Sequence, residues 1–170
     1  AQGSNTLTIV AYDAAGNAGT ALSTTVVYDT QAPSIPSFSV DPPAATNATF
    51  GFTVSTSDSG GSGISHYHLT GGATTSPTST TGEFSNLTPA SAGSNTLTII
   101  AYDGAGNAST ALSTTVVYDT QAPDTPTFSA APSTPTNAAL SFTVTATDNG
   151  DSGIASYRVT GGATTTPSST

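Results

Sequence analysis

The chain contains no cysteine, methionine, tryptophan or lysine, and its only arginine is Arg158. Without cysteine there is neither a disulfide framework nor a thiolate metal site. Without lysine, no Lys–Asn isopeptide crosslink can form within these residues. One cationic side chain against nine Asp and one Glu leaves a net charge of −9. That balance excludes nucleic acid and anionic membrane surfaces as partners, since both require basic patches. No apolar run approaches the roughly 20 residues that span a bilayer, so no membrane insertion is expected of this segment. No signal-peptide pattern is present either, and Ala1 is expected not to be the start of the gene product. Helical periodicity is missing throughout. So are a nucleophile elbow, a phosphate loop, an HExxH pair and a separated pair of catalytic carboxylates. Glu83, the sole glutamate, has no counterpart in either partial repeat to test it, and no enzyme active site is expected.

What is present is repetition. Thr20–Pro33, TALSTTVVYDTQAP, returns unchanged as Thr110–Pro123, and residues 1–80 align without a gap on 91–170 with 53 of 80 positions identical. A period of 90 is too long for a solenoid unit and suits one small β-sandwich. The repeated segment carries its own boundary: the alternating strand Ser23–Tyr28 runs into Asp29-Thr30-Gln31-Ala32-Pro33, where proline ends ladder donation. The chain therefore divides into 1–33, the back part of one unit, 34–123, a complete unit, and 124–170, the front part of a third. Half a sandwich cannot bury its apolar face, so a window on a longer array is expected, or partial units completed by other chains.

Within the complete unit, Ile35–Val40 reads as an edge strand among Pro33, Pro36 and Pro42. Thr49–Thr56 alternates Phe50, Phe52 and Val54 against Thr and Ser. Ser57–Gly63 is a turn-rich loop, and Ile64–Thr70 sets Tyr67 and Leu69 on one face and His66 and His68 on the other. Ala73–Thr81 is polar, Phe84 and Leu87 mark a short strand, and Asn95–Tyr102 sends Leu97, Ile99 and Ala101 inward. Ala111–Tyr118 closes the unit. Thr and Ser make up 59 of 170 residues, yet apolar alternation at matched positions argues folded β over disorder. The expected class is all-β, in tandem immunoglobulin- or fibronectin III-like sandwiches.

Tyr102-Asp103-Gly104-Ala105-Gly106-Asn107, followed one strand later by Tyr118-Asp119-Thr120-Gln121-Ala122-Pro123, resembles the bacterial immunoglobulin-like repeats of large secreted adhesins. The resemblance covers all 170 residues. It implies a stalk or adhesive role at a bacterial cell surface and, in some members, calcium held at domain junctions.

The acidic residues fall where such a site would need them. In a seven-stranded sandwich, the loops after the second and sixth strands lie at the pole where the chain enters. For the complete unit these loops bring Asp58 and Asp103 with Asn107, and the incoming linker brings Asp29. The next joint would gather Asp119, Asp148 and Asp151, and the preceding one would use Asp13 and Asn17. Like charges repel, and with no lysine at hand a cation would neutralise them; calcium takes 6–8 oxygen ligands in irregular geometry. The competing reading is turn chemistry, in which Asp and Asn satisfy their own loop backbone. No EF-hand pattern is present. His66 and His68 could pair on a metal, but Ser156 and Arg158 stand at the matched positions, which favours solvent-facing strand residues. Asn47, Asn86 and Asn107 open glycosylation patterns that carry no weight in a bacterial protein.

The expected function is mechanical: stalk repeats of an extracellular adhesin, partnered by neighbouring repeats of the same chain or by other copies. Two alternatives stand beside it. One is a self-assembling extracellular fibre with units completed between chains, although joining residue 170 to a second Ala1 omits the counterpart of Thr81–Ala90. The other is a spacer or carbohydrate-binding module of a secreted enzyme, with Tyr67, Tyr102 and Tyr118 as packing residues rather than a sugar platform.

Overall fold

The structure, a computed structural model, describes residues 1–131, 135, 137, 139, 141–160, 168 and 169. The expected third unit, 124–170, thus lies partly outside the described residues. Strands β1 (Gly3–Ile9) and β2 (Leu22–Tyr28) pair antiparallel. The complete repeat supplies β3 (Ser37–Val40), β4 (Ala45–Thr46), β5 (Phe50–Ser55), β6 (Ile64–Thr70), β7 (Thr78–Ser79), β8 (Glu83–Leu87), β9 (Gly93–Asp103) and β10 (Leu112–Tyr118). Beyond it, β11 (Thr127–Ala131) pairs with β12 (Ser141–Thr145), and β13 (Tyr157–Arg158) with β14 (Ser168–Ser169). No helix occurs among the described residues.

In the complete repeat, β3-β5-β8 form one sheet and β4-β10-β9-β6-β7 the other. This strand order is that of an immunoglobulin- or fibronectin III-like sandwich. Two short elements were not legible as strands. β4 runs parallel to β10, with Val117 opposite Ala45, because Pro42-Pro43 ends the β3 ladder and lets the chain cross to the other sheet. β7 is two residues of the polar stretch 73–81, held against Tyr67 and His68 of β6.

Alternation fills the core. Phe50, Phe52 and Val54 of β5 meet Phe84 and Leu87 of β8 on one side, and Tyr67, Leu69, Leu97, Ile99, Ala101 and Val116 on the other. Phe52 stacks on Phe84 at 5.1 Å between centroids and takes the edge of Phe38 at 5.7 Å. The partial unit tests the rule: Leu97 is 0% exposed, whereas Leu7, its counterpart in β1, is 52% exposed. The same sequence pairs into the same ladder, Leu7 opposite Thr24 as Leu97 is opposite Thr114. Burial needs the second sheet.

Candidate functional site

The joint between β2 and the complete sandwich is built around Asp29, which follows β2 directly and is buried. Its Oδ1 accepts from the backbone N–H of Gln31 at 2.9 Å and from Gln2 Nε2 at 2.9 Å. Its Oδ2 accepts from the backbone N–H of Ser62 at 3.0 Å and also from the Ser62 hydroxyl. Ser62 belongs to the loop between β5 and β6. That loop presses on the carboxylate through Gly60, where a Cβ would fall 1.8 Å from Asp29 Oδ1. Only glycine permits this approach. The linker is tied to the same loop by Ser34 N–H to Ser57 O at 2.9 Å and by Thr56 Oγ1 to Ser34 O at 2.6 Å.

Asp58 and Asp103 complete the cluster. Asp58 accepts from Gly60 N at 3.0 Å and from Gly63 N at 2.8 Å. Asp103, at the end of β9 and 2% exposed, accepts from Ala105 N, Asn107 N and Asn107 Nδ2. The Asn107 amide also reaches the carbonyls of Asp29 and Gln31 at 3.3 and 3.4 Å. Gly104 N–H donates to Gly63 O at 2.9 Å, locking the two loops together. One carboxylate oxygen from each of Asp29, Asp58 and Asp103 lies within 4.8 Å of the others. The topology thus brings together the linker and the two loops that the sequence placed at one pole.

Neutral donors meet this concentrated charge. Hydrogen bonds from Ser62, followed by those from Gln31 and Gln2, outweigh burial and hold the Asp29 carboxyl below its ordinary range. Burial pushes Asp103 up, but the bonds from Asn107 and Ala105 together pull it below the ordinary value against the added repulsion of Asp29. Hydrogen bonds to the charged form favour it. Neutral hydrogen-bond donors, and not a cation alone, can therefore offset the repulsion among these carboxylates.

The second joint repeats the first in its essentials. Asp119 accepts from Gln121 N at 2.8 Å and from the Ser152 hydroxyl and N–H, and a Cβ on Gly150 would fall 1.8 Å from Asp119 Oδ1. Asp124 N–H donates to Thr147 O at 2.8 Å. Asp148 shares the Ser152 hydroxyl with Asp119, at 3.3 Å, and accepts from Gly153 N. The expected trio does not form. Asp151 is exposed in a left-handed turn (φ 72°), beside Gly93, and among the described residues the three-carboxylate group is that of Asp29, Asp58 and Asp103 alone. Asp13 and Asn17 are exposed and bond to each other at 2.7 Å. Their turn has the same bonds as the Asp103–Asn107 turn, so it forms without a joint around it.

Sequence reasoning missed Ser62, Gly60 and Gln2. A signal for the first two was present: Asp58, Gly60, Ser62 and Gly63 persist as Asp148, Gly150, Ser152 and Gly153 while their loop neighbours change. Gln2 has no such signal, because Ala92 stands at its matched position. His66 is half-buried and stacks on Tyr102 at 4.9 Å, a packing contact.

No protein-family model matches the chain. Exoglucanase B of Cellulomonas fimi is 36% identical over 181 aligned positions, which take in 96% of this chain and 16% of that protein. The chain thus spans about a sixth of the length of the curated relative it matches. Among solved structures, the fibronectin(III)-like modules of Clostridium thermocellum CbhA resemble it with a TM-score of 0.42 at 22% identity, over 69% of this chain and 63% of that one. The sandwich assignment rests on the strand order.

Proposed function

We propose that the chain is a run of non-catalytic spacer repeats in a secreted, multi-part bacterial protein, and that the parent is an enzyme rather than an adhesin. One observation carries the spacer role: at both joints the linker Asp accepts hydrogen bonds from a Ser of the following unit and lies tight against a Gly there, so successive units are hydrogen-bonded to one another. The likeness to a segment of Exoglucanase B supports an enzyme parent. The adhesin reading keeps only the two motifs around Asp103 and Asp119. The test is to incubate the purified chain with soluble and insoluble glucans. Neither hydrolysis nor retention is expected. Retention on insoluble cellulose would replace the spacer with a carbohydrate-binding module.

A second reading adds calcium to the joint. Two observations favour it: the three carboxylate oxygens within 4.8 Å, and Asp148 Oδ1, which is buried with no hydrogen-bond partner among the described residues. Carboxylates of this kind are suitable calcium ligands, so Asp29, Asp58 and Asp103 would hold the ion at the first joint and Asp119 with Asp148 at the second. An ion that binds only the folded chain raises its melting temperature with concentration. Calorimetric titration of chelator-treated protein with calcium should give saturable heat and a rising melting temperature. If neither appears, hydrogen bonds alone hold the joint.

A further inference from the structure

Asn149 is the one asparagine of eight that precedes a glycine. It is exposed, in the loop that meets Asp119. We propose that Asn149–Gly150 is a site of spontaneous deamidation that alters the second joint and spares the first.

The step requires the Gly150 backbone nitrogen to attack the Asn149 side-chain carbonyl, and two features leave that nitrogen free. Glycine presents no side chain to obstruct the approach. At the first joint the matching N–H, that of Gly60, is held by Asp58 Oδ1 at 3.0 Å. The Gly150 N–H has no acceptor among the described residues, and Asp148 Oδ1, the matching acceptor, is left without a partner. A buried carboxylate oxygen without a partner is uncommon, and here Asp148 Oδ1 and the Gly150 N–H, the two halves of one lost hydrogen bond, flank Asn149. The residue before Gly60 is Ser59, which cannot undergo the reaction. Asn149 is restrained through its side chain by the hydrogen bond that Nδ2 donates to Asp124 Oδ2 at 3.2 Å, which leaves the Gly150 nitrogen untouched.

Gly150 N gives its proton to hydroxide and bonds to Cγ of Asn149. The Cγ–Nδ2 bond breaks, and the nitrogen leaves as ammonia after taking a proton from water. The five-membered imide then adds one water. Opening at Cγ leaves aspartate; opening at the backbone carbonyl carbon leaves isoaspartate, with the main chain running through Cβ and Cγ. Water is the co-reactant, and nothing is oxidised or reduced. Isoaspartate inserts one carbon immediately before Gly150, where the loop already lies against the Asp119 carboxylate without room for a Cβ. The Ser152–Asp119 hydrogen bonds are the contacts this displaces.

The test is to hold the full chain in mildly alkaline buffer and map its chymotryptic peptides over time by mass spectrometry that separates aspartate from isoaspartate. Asn149 is expected to convert roughly tenfold faster than any of the other seven asparagines, a barrier difference of about 1.4 kcal/mol, with isoaspartate among the products. In the aged protein the Ser152 amide resonance should move while that of Ser62 stays. The variant Asn149→Ser, which copies the first joint, should stop the change. Conversion at Asn149 no faster than elsewhere would overturn the site, and an unmoved Ser152 signal in isoaspartate-containing protein would overturn its effect on the joint.

Discussion

Ser62 donates both its backbone N–H and its hydroxyl to a single carboxylate oxygen of Asp29, and Ser152 does the same for Asp119. In each case the serine and the aspartate are 33 residues apart and on opposite sides of a joint. A flexible tether would leave the linker carboxylate to water. Here that carboxylate is held by a loop of the following unit, and the loop is set by the strands on either side.

Gly60 is the tightest point of that arrangement. Replacing it with alanine places a Cβ 1.8 Å from Asp29 Oδ1, and the carboxylate cannot swing aside without losing Ser62, Gln31 and Gln2. Gly60→Ala is expected to cost about 1–3 kcal/mol and to displace the joint, while the core of the complete sandwich stays packed. Scattering from the full chain should show a broader distribution of sizes, and amide signals of β9 and β10 should hold their positions. An unchanged scattering curve would mean that the loop yields and the glycine is not required.

Acid should undo the joint, and the sign follows from the shifts. Asp29, Asp103 and Asp119 all have carboxyls held below the ordinary value. For Asp29 and Asp119 the leading cause is the hydroxyl of the serine across the joint. A depressed folded value contributes stability that is fully present above the unfolded value, near 3.9, and is lost as pH falls through the folded one. The Ser62 and Ser152 amide resonances should therefore stay in place through pH values near 3.9 and move only below. A midpoint at or above that value would show carboxylates that gain nothing from their donors.

The fold was largely legible because alternation and proline placement are local signals. Phe50, Phe52 and Val54 point inward for the same reason that they alternate, and the linker that ends in Pro33 begins where the ladder stops, after Tyr28. The pole of the site was legible too, since strand order decides which loops share an end. The donors were not. Ser62 looks like any serine in a Ser/Gly loop, and its role depends on a carboxylate 33 residues away. Asp151 misled because its charge matched a pattern, whereas its backbone adopts the left-handed turn that Gly61 adopts in the preceding repeat.

Identical residues in unequal surroundings give the next test. Leu97→Ala removes a fully buried side chain and is expected to cost about 2–5 kcal/mol. Leu7→Ala changes the matched residue where it is 52% exposed and should cost less than about 0.5 kcal/mol. Urea unfolding of both variants, compared at equal slope, measures the difference. Similar losses would mean that β1 is covered by another chain in solution.

Tyr67 connects the core to the joint. Its ring is buried between the sheets, and its phenol oxygen accepts the backbone N–H of Thr56 at 3.2 Å, just past the end of β5. Tyr157 does the same for Ala146 at 3.0 Å. Thr56 in turn holds the linker carbonyl of Ser34 through its hydroxyl, so the phenol fixes the first residue of the loop that carries Asp58, Gly60 and Ser62. Tyr67→Phe keeps the ring and its packing but removes the acceptor from a partly buried N–H, at a cost of about 1–3 kcal/mol. The urea midpoint should fall without a change in slope, since the buried surface is the same. The Ser62 amide should also exchange faster with solvent than in the unmodified protein. A lower midpoint with Ser62 exchange unaltered would confine the phenol to the core; a midpoint that does not move would mean that water replaces it.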